Sequence, residues 1–270
     1  MLQKIKATAN FIKDKTDFKG RTAIILGSGL GNFVDKVEVQ HSLSYKDIPN
    51  FPVSTIAGHA GKLIIGRIKG KQVLVMQGRF HYYEGWSMYD VTFPVRVFKM
   101  MGVENLLVSN AAGGTNYSFE VGDLMMITDH INLFGTNPLI GQNEEELGPR
   151  FPNMSKAYDS ELCEIARSFA RSNNFKLNEG VYVGLTGPSF ETNAEYRFLN
   201  TIGGDAVGMS TVPEVIVANH MAMRVFGVSV ITNNGLDIPE EGNSHKEVLD
   251  VAVIAGNALE AIFSAVIEAL

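Results

Sequence analysis

The chain has 270 residues, 45% hydrophobic and 19% charged, which supports a sizeable core and excludes a disordered or fibrous protein. The formal charge is −6 and no run of Lys and Arg stands out, so nucleic acid and anionic membrane are not expected partners. The single cysteine, Cys163, excludes an intramolecular disulfide and reads as a small apolar residue on a helix.

The first residues lack the apolar core of a signal peptide, and no stretch reads as an uninterrupted membrane span. A cytoplasmic protein is the expectation. Length and composition fit one α/β domain over residues 1–270.

In chain order, Leu2, Ile5, Phe11 and Ile12 predict an opening amphipathic helix. A buried strand follows at Thr22–Leu26 and runs into Leu26-Gly27-Ser28-Gly29-Leu30-Gly31. Such a turn gathers backbone N–H groups toward an anion, although a merely tight turn reads the same way. Asn32 breaks the dinucleotide fingerprint, and no P-loop lysine follows. His59 stands in a loop of small residues, where a bystander is as plain a reading as a ligand.

Strands at Leu63–Ile68 and Gln72–Met76 flank Lys69-Gly70-Lys71 and predict a hairpin. Next comes Gly78-Arg79-Phe80-His81-Tyr82-Tyr83-Glu84-Gly85. In an extended chain Arg79 and His81 share a face and could present a guanidinium fork and an imidazole to one phosphate. A helix is predicted at Val91–Met101 and a strand at Asn105–Ser109, ending in Asn110-Ala111-Ala112-Gly113-Gly114. Leu124–Thr128 is a further strand, and Leu133–Tyr158 is the least regular segment.

A helix at Ser160–Arg171 precedes a strand at Glu179–Leu185 and the run Thr186-Gly187-Pro188-Ser189-Phe190-Glu191-Thr192. There an aromatic ring adjoins a carboxylate that either grips a ligand or merely opens a helix. A helix at Asn193–Thr201 leads to Val207-Gly208-Met209-Ser210-Thr211-Val212-Pro213-Glu214, in which Ser210 is either an anion donor or an N-cap. A helix at Pro213–Arg224, a strand at Val225–Thr232 with Asn233-Asn234-Gly235 at its end, and a helix at Lys246–Ala269 complete the chain. Alternating strands and helices with an early hairpin give an α/β fold with a mixed sheet, and ligands bind at strand ends in such folds. The six histidines form no helix-spaced pair with a carboxylate, so no metal site is expected.

Taken in order, these motifs resemble the trimeric purine nucleoside phosphorylases. The resemblance rests on residues 26–31, 58–61, 78–85, Thr-Phe-Pro-Val-Arg-Val at 92–97, 110–114, 187–192, 207–214 and Ile-Thr-Asn at 231–233. It implies a central mixed, partly barrel-like sheet flanked by helices, and a homotrimer. It implies that Ser28, Arg79, His81, Ser210 and the backbone of Ala111 hold phosphate under a loop bearing His59. Tyr83 and Met209 would contact the ribose with Tyr182 close by, and His245 would face the 5′-hydroxyl. Phe151 would reach a neighbouring subunit's sugar site. Phe190 would lie on the purine, with Glu191 and Asn233 on its edge.

The implied reaction is reversible phosphorolysis of inosine and guanosine, or their deoxy forms, to the base and the pentose 1-phosphate. Phosphate is a co-substrate, and no metal or organic cofactor is implied. Asn233, Glu191 and His81 would carry the chemistry. Asn233 argues against the sibling methylthioadenosine phosphorylases, which place an aspartate there. A nucleoside hydrolase would need an aspartate-rich calcium site, and a silent nucleoside-binding protein would not need a phosphate site. Asn234, where mammalian members carry lysine, is a departure.

Overall fold

The computed structural model describes residues 1–53, 60–235 and 244–270, with His245 as backbone only. His59 and the side chain of His245 therefore lie outside the described residues. The chain opens with helix α1 (Leu2–Lys15), whose Ile5, Ala9 and Ile12 are buried at helical spacing. Strand β1 (Thr22–Ile25) is buried throughout. It is followed by β2 (Glu38–Ser44), β3 (Lys62–Ile68) and β4 (Lys71–Gln77). The β3–β4 hairpin turns at Lys69 and Gly70, both at positive φ, the two-residue turn whose twist matches the strands.

Helix α2 (Met88–Met100) leads to β5 (Asn105–Gly114) and β6 (Leu124–Asn132). Then come α3 (Ser160–Ser172), β7 (Leu177–Gly184), α4 (Asn193–Thr201), β8 (Ala206–Gly208), α5 (Val212–His220), β9 (Arg224–Asn234) and α6 (His245–Ala269). Among the described residues all nine strands join one mixed sheet, ordered β2-β3-β4-β1-β5-β8-β7-β6-β9. Strand β9 also pairs with β5, so β5, β8, β7, β6 and β9 close on themselves as a partial barrel. Helix α2 packs against α1 and α5, and α3 against α6.

Several boundaries differ from the sequence reading. Strand β5 runs five residues past Ser109, through Asn110-Ala111-Ala112-Gly113-Gly114. It pairs with β9 across a bulge between Ala112 and Gly113, and with β8 at Gly113 and Gly114. Tertiary pairing overrides the weak strand preference of glycine. Helix α5 stops at His220 instead of Arg224, because Ala222 takes a positive φ and Arg224 opens β9. The sequence reading omits β2, whose residues are mostly exposed, and the three-residue β8.

Helix α6 is, by length and composition, apolar enough to cross a membrane, which corrects the reading that no stretch approaches this. Here its stripe of Ala252, Ala255, Leu259, Ile262, Phe263 and Val266 is buried in the core. The parallel strands β1, β4, β5 and β9 point their C-terminal ends the same way. That end carries most of the Gly-, Ser- and Asn-bearing motifs.

Candidate active site

A cleft with about 640 Å³ of empty space, including the part open to solvent, lies at these strand ends. Ser28, Arg79, His81, Ala111 and Ser210 line it. So do Phe190, Glu191 and Asn233, and so do Tyr83 and Met209. Ten sequence-predicted residues from six separate loops and strand ends thus share one cavity.

At one end Arg79 is 1% exposed. Its Nε donates to Glu214 Oε1 at 3.1 Å, and its Nη1 donates to the Ser109 carbonyl at 2.8 Å and to Ser210 Oγ at 3.1 Å. Ser210 is not an N-cap, because Thr211 holds that place on α5. Thr211 sits at φ 71, ψ −56, and Val212 N donates back to the Ser210 carbonyl at 2.7 Å, a γ-turn. A β-branched residue there costs on the order of 1–3 kcal/mol. The Asn110 amide, donating to Thr211 Oγ1 at 2.8 Å, helps hold it. The turn sets Ser210 at the positive end of the α5 dipole.

The His81 backbone N–H donates to Glu84 Oε1 at 2.8 Å, and ring Nδ1 lies 3.3 Å from the same oxygen. Its ring stacks on Tyr83 with centroids 4.7 Å apart. Burial holds the imidazole below its ordinary pKa, opposed by the Glu84 hydrogen bond and aided by the Arg79 charge. Burial, with the Glu84 charge, pushes the Tyr83 phenol up to about 12.

At the other end Phe190 is exposed toward the opening and Glu191 is half-buried. Helix α4 is capped by Thr192 with Glu195, so Glu191 lies before the helix and not in its first turn. Burial raises the Glu191 pKa, while its own backbone N–H and the Tyr196 hydroxyl pull it back and Glu195 adds to the rise. Asn233 Nδ2 donates to the Tyr196 hydroxyl at 3.1 Å.

Two predicted residues do not line this cleft. Tyr182 is fully buried behind its wall, and its hydroxyl accepts from Ser210 N at 3.4 Å. It supports the wall, close by but not lining the cleft. Phe151 is 87% exposed and borders a separate groove with Ile140 and Pro152. Three functional positions escaped the sequence reading: Glu214, Glu84 and Tyr196. The first two sit inside quoted motifs, so their signal was present. Tyr196 looked like a core position of α4.

A profile of the phosphorylase superfamily matches residues 21–268. The chain belongs to this superfamily. Within it the relatives are purine nucleoside phosphorylases. The Bacillus subtilis purine nucleoside phosphorylase 1 is 56% identical over 251 residues, covering 93% of each chain. The Bos taurus purine nucleoside phosphorylase is 51% identical over 264 residues, covering 95% of this chain and 91% of its own. The Schistosoma mansoni purine nucleoside phosphorylase in complex with adenosine superposes with a TM-score of 0.95 at 43% identity, covering 99% of this chain and 97% of its own. The same parasite's enzyme in complex with inosine gives a TM-score of 0.94 at 42% identity, covering 99% of this chain and 96% of its own. This phosphorylase chain therefore has the fold and the enzyme class that its motifs implied.

Proposed function

We propose that the enzyme phosphorolyses 6-oxopurine nucleosides, inosine and guanosine, and their deoxy forms, to the free base and the pentose 1-phosphate. One observation carries this reading: a buried arginine with Ser210 and His81 shares a single cavity with Glu191 and Asn233. The first group suits an oxyanion, and the second suits the edge of a heterocycle.

Cleavage of the glycosidic bond leaves positive charge on the sugar and negative charge on the purine. Catalysis comes from stabilising those developing charges more than the ground state. Phosphate held by Ser28, Arg79, His81, Ser210 and the Ala111 backbone stabilises the cationic sugar and then attacks C1′, inverting it. The Asn233 amide nitrogen carries two hydrogens. One is engaged by Tyr196. The other serves N7 as electrons enter the ring. An ionised Glu191 accepts from N1–H and from a 2-amino group. Adenosine lacks the N1 proton, so it is a poor substrate. The chemistry uses no metal or organic cofactor.

Tyr83 and Met209 flank the sugar between these ends. Phe151, exposed and bordering a separate groove, supports a homotrimer in which it completes a neighbour's sugar site. Sedimentation of the purified protein checks the trimer, and a monomer that turns over normally removes Phe151 from the site.

The deciding experiment incubates the protein with inosine, with and without phosphate. Hypoxanthine formed only with phosphate is the expected result. Release without phosphate means hydrolysis, and no release at all ends the reading. Ranking inosine, guanosine and adenosine by kcat/KM then tests the base preference, and adenosine as best substrate reverses it.

A further inference from the structure

The hydroxyl of Tyr196 bonds one of the two groups assigned to the purine and neighbours the other. The residue sits near the start of α4, 1% exposed, with its oxygen at the cavity wall. It accepts from Asn233 Nδ2 at 3.1 Å and lies beside the Glu191 carboxylate, near enough that each shifts the other's ionisation. We propose that Tyr196 is a positioning residue that locks the Glu191 carboxylate and the Asn233 amide into one fixed arrangement for a 6-oxopurine. This rests on the reading of the cavity as a purine site.

Hydrogen counting fixes the arrangement. A phenol has one proton to give. An ionised carboxylate only accepts, so that proton goes to Glu191. Tyr196 can then only accept from Asn233, and only the amide nitrogen supplies a donor. The reversed amide would set Oδ1 against the phenol oxygen, with a single proton shared by two acceptors. The orientation of Asn233 thus follows from donor and acceptor counts and not from the appearance of the amide. Thr232 Oγ1 lies 3.2 Å from Asn233 Oδ1 and 3.2 Å from the Ala112 carbonyl, so its single proton is shared between the amide oxygen and the backbone.

Two consequences bear on substrate choice. The second Nδ2 hydrogen remains for a ring nitrogen acceptor, while Oδ1 faces the Thr232 hydroxyl. The Tyr196 proton also favours the charged form of Glu191, and that form accepts a proton from N1–H. Glu195 on α4 is the other charged group acting on Glu191, and it opposes this. The neighbouring side chains from β9, Thr232 and Asn233, are neutral.

Gly113 makes the arrangement possible. A Cβ there would lie 2.9 Å from the Tyr196 hydroxyl and 3.2 Å from Asn233 Nδ2, where a side chain would force the pair apart.

The test compares wild type with Tyr196→Phe, which keeps the ring. Loss of a hydrogen bond to a charged group should lower kcat/KM for inosine about tenfold. KM for phosphate should stay within about twofold. The acid limb of the inosine kcat/KM profile should move to higher pH, because Glu191 loses the donor that favours its charge. Calorimetry should show hypoxanthine bound about tenfold more weakly. Wild-type kcat/KM with an unmoved acid limb overturns the proposal. So does a loss shared equally by phosphate with the limb unmoved, because that marks a merely structural role. Should Tyr196→Phe misfold, Gly113→Ala, which leaves Tyr196 in place, should produce the same selective shift, and its absence counts against the proposal. If wild type releases no hypoxanthine from inosine, the function reading fails, and hypoxanthine affinity alone still decides the role of Tyr196. If wild type does not bind hypoxanthine either, both fall.

Discussion

Arg79 and Glu214, 135 residues apart in the chain, meet at 3.1 Å with side chains only 2% and 3% exposed. The pair ties the segment after β4 to the first turn of α5, and the same guanidinium reaches the Ser109 carbonyl and Ser210 Oγ. One buried cation thereby draws β4, β5 and α5 together around the oxyanion end of the cleft. Buried ion pairs add little net stability, because desolvation cancels most of the attraction, but halving one strands a charge.

The first prediction follows from that asymmetry. Glu214→Ala should destabilise the protein by about 3–5 kcal/mol, because it removes the carboxylate from the buried guanidinium. In a protein of this size the melting temperature should drop on the order of 10 °C. Glu214→Gln keeps an oxygen to accept from Arg79 Nε and should lose less. In folded protein, both should raise KM for phosphate more than KM for inosine, since Arg79 loses its anchor. Thermal melts and steady-state kinetics read this out, and a Glu214→Ala protein that melts like wild type refutes it.

Asn233 gives the second. Its amide is asked to meet charge that develops on the departing purine. Asn233→Ala should lower kcat by about two to three orders of magnitude, by analogy with loss of an oxyanion-hole donor. KM for phosphate should barely change, because the residue lies at the other end of the cavity. Turnover near that of wild type removes Asn233 from the chemistry.

The chain itself announced both ends of this cleft, for a physical reason. Ser28, Arg79 and Asn233 each follow an apolar strand, a local signal that periodicity exposes, whereas Ser210 follows a strand too short to read and was legible only from its place before a helix. Sequence spacing conveys nearness but not the side from which a group approaches. Tyr182 could therefore be placed only close to the ribose, and its hydroxyl turns to Ser210 N. Tyr196 stayed hidden because its spacing with Leu199 on α4 marks a core face, and both are buried. Only the register of β5 and β9 brings its hydroxyl to Asn233. Strand β2 was invisible because an exposed edge strand has no apolar alternation to reveal it.

A third prediction concerns pH. Burial raises the Glu191 pKa above its ordinary value. Accepting N1–H requires the carboxylate, so kcat/KM for inosine should be lost as pH falls through that raised value. The acid limb should lie above the ordinary glutamate pKa of about 4.3. His81 is shifted downward, so it is mostly neutral at pH 7 and gains charge only below its ordinary pKa of about 6.5. A pH series with inosine at saturating phosphate measures the limb. A limb at or below the ordinary value contradicts the burial argument.

The fourth lies away from the cleft and tests what holds α3 to the sheet. Asp159 caps α3, its Oδ1 accepting from Glu161 N at 3.1 Å and Leu162 N at 3.0 Å. Arg224, the first residue of β9, grips both oxygens at 2.8 Å. The Arg224 hydrogen bond is the main reason the Asp159 pKa lies below its ordinary value. A carboxyl whose folded pKa is depressed contributes stability that is present above the unfolded value, about 3.9, and is lost as pH falls through the folded value. Asp159→Ala removes the cap and the pair together, and the cap alone is worth about 1 kcal/mol. Asp159→Asn retains a competent cap but loses the charge and the two-pronged grip. At pH 7 the order of stability should therefore be wild type, then Asp159→Asn, then Asp159→Ala. As pH falls through the depressed folded value, wild type protonates and converges on Asp159→Asn, while the alanine variant stays the weakest. Denaturant melts at the two pH values decide it. A gap between wild type and Asp159→Asn that is unchanged at low pH shows that the Arg224 pair contributes nothing through charge.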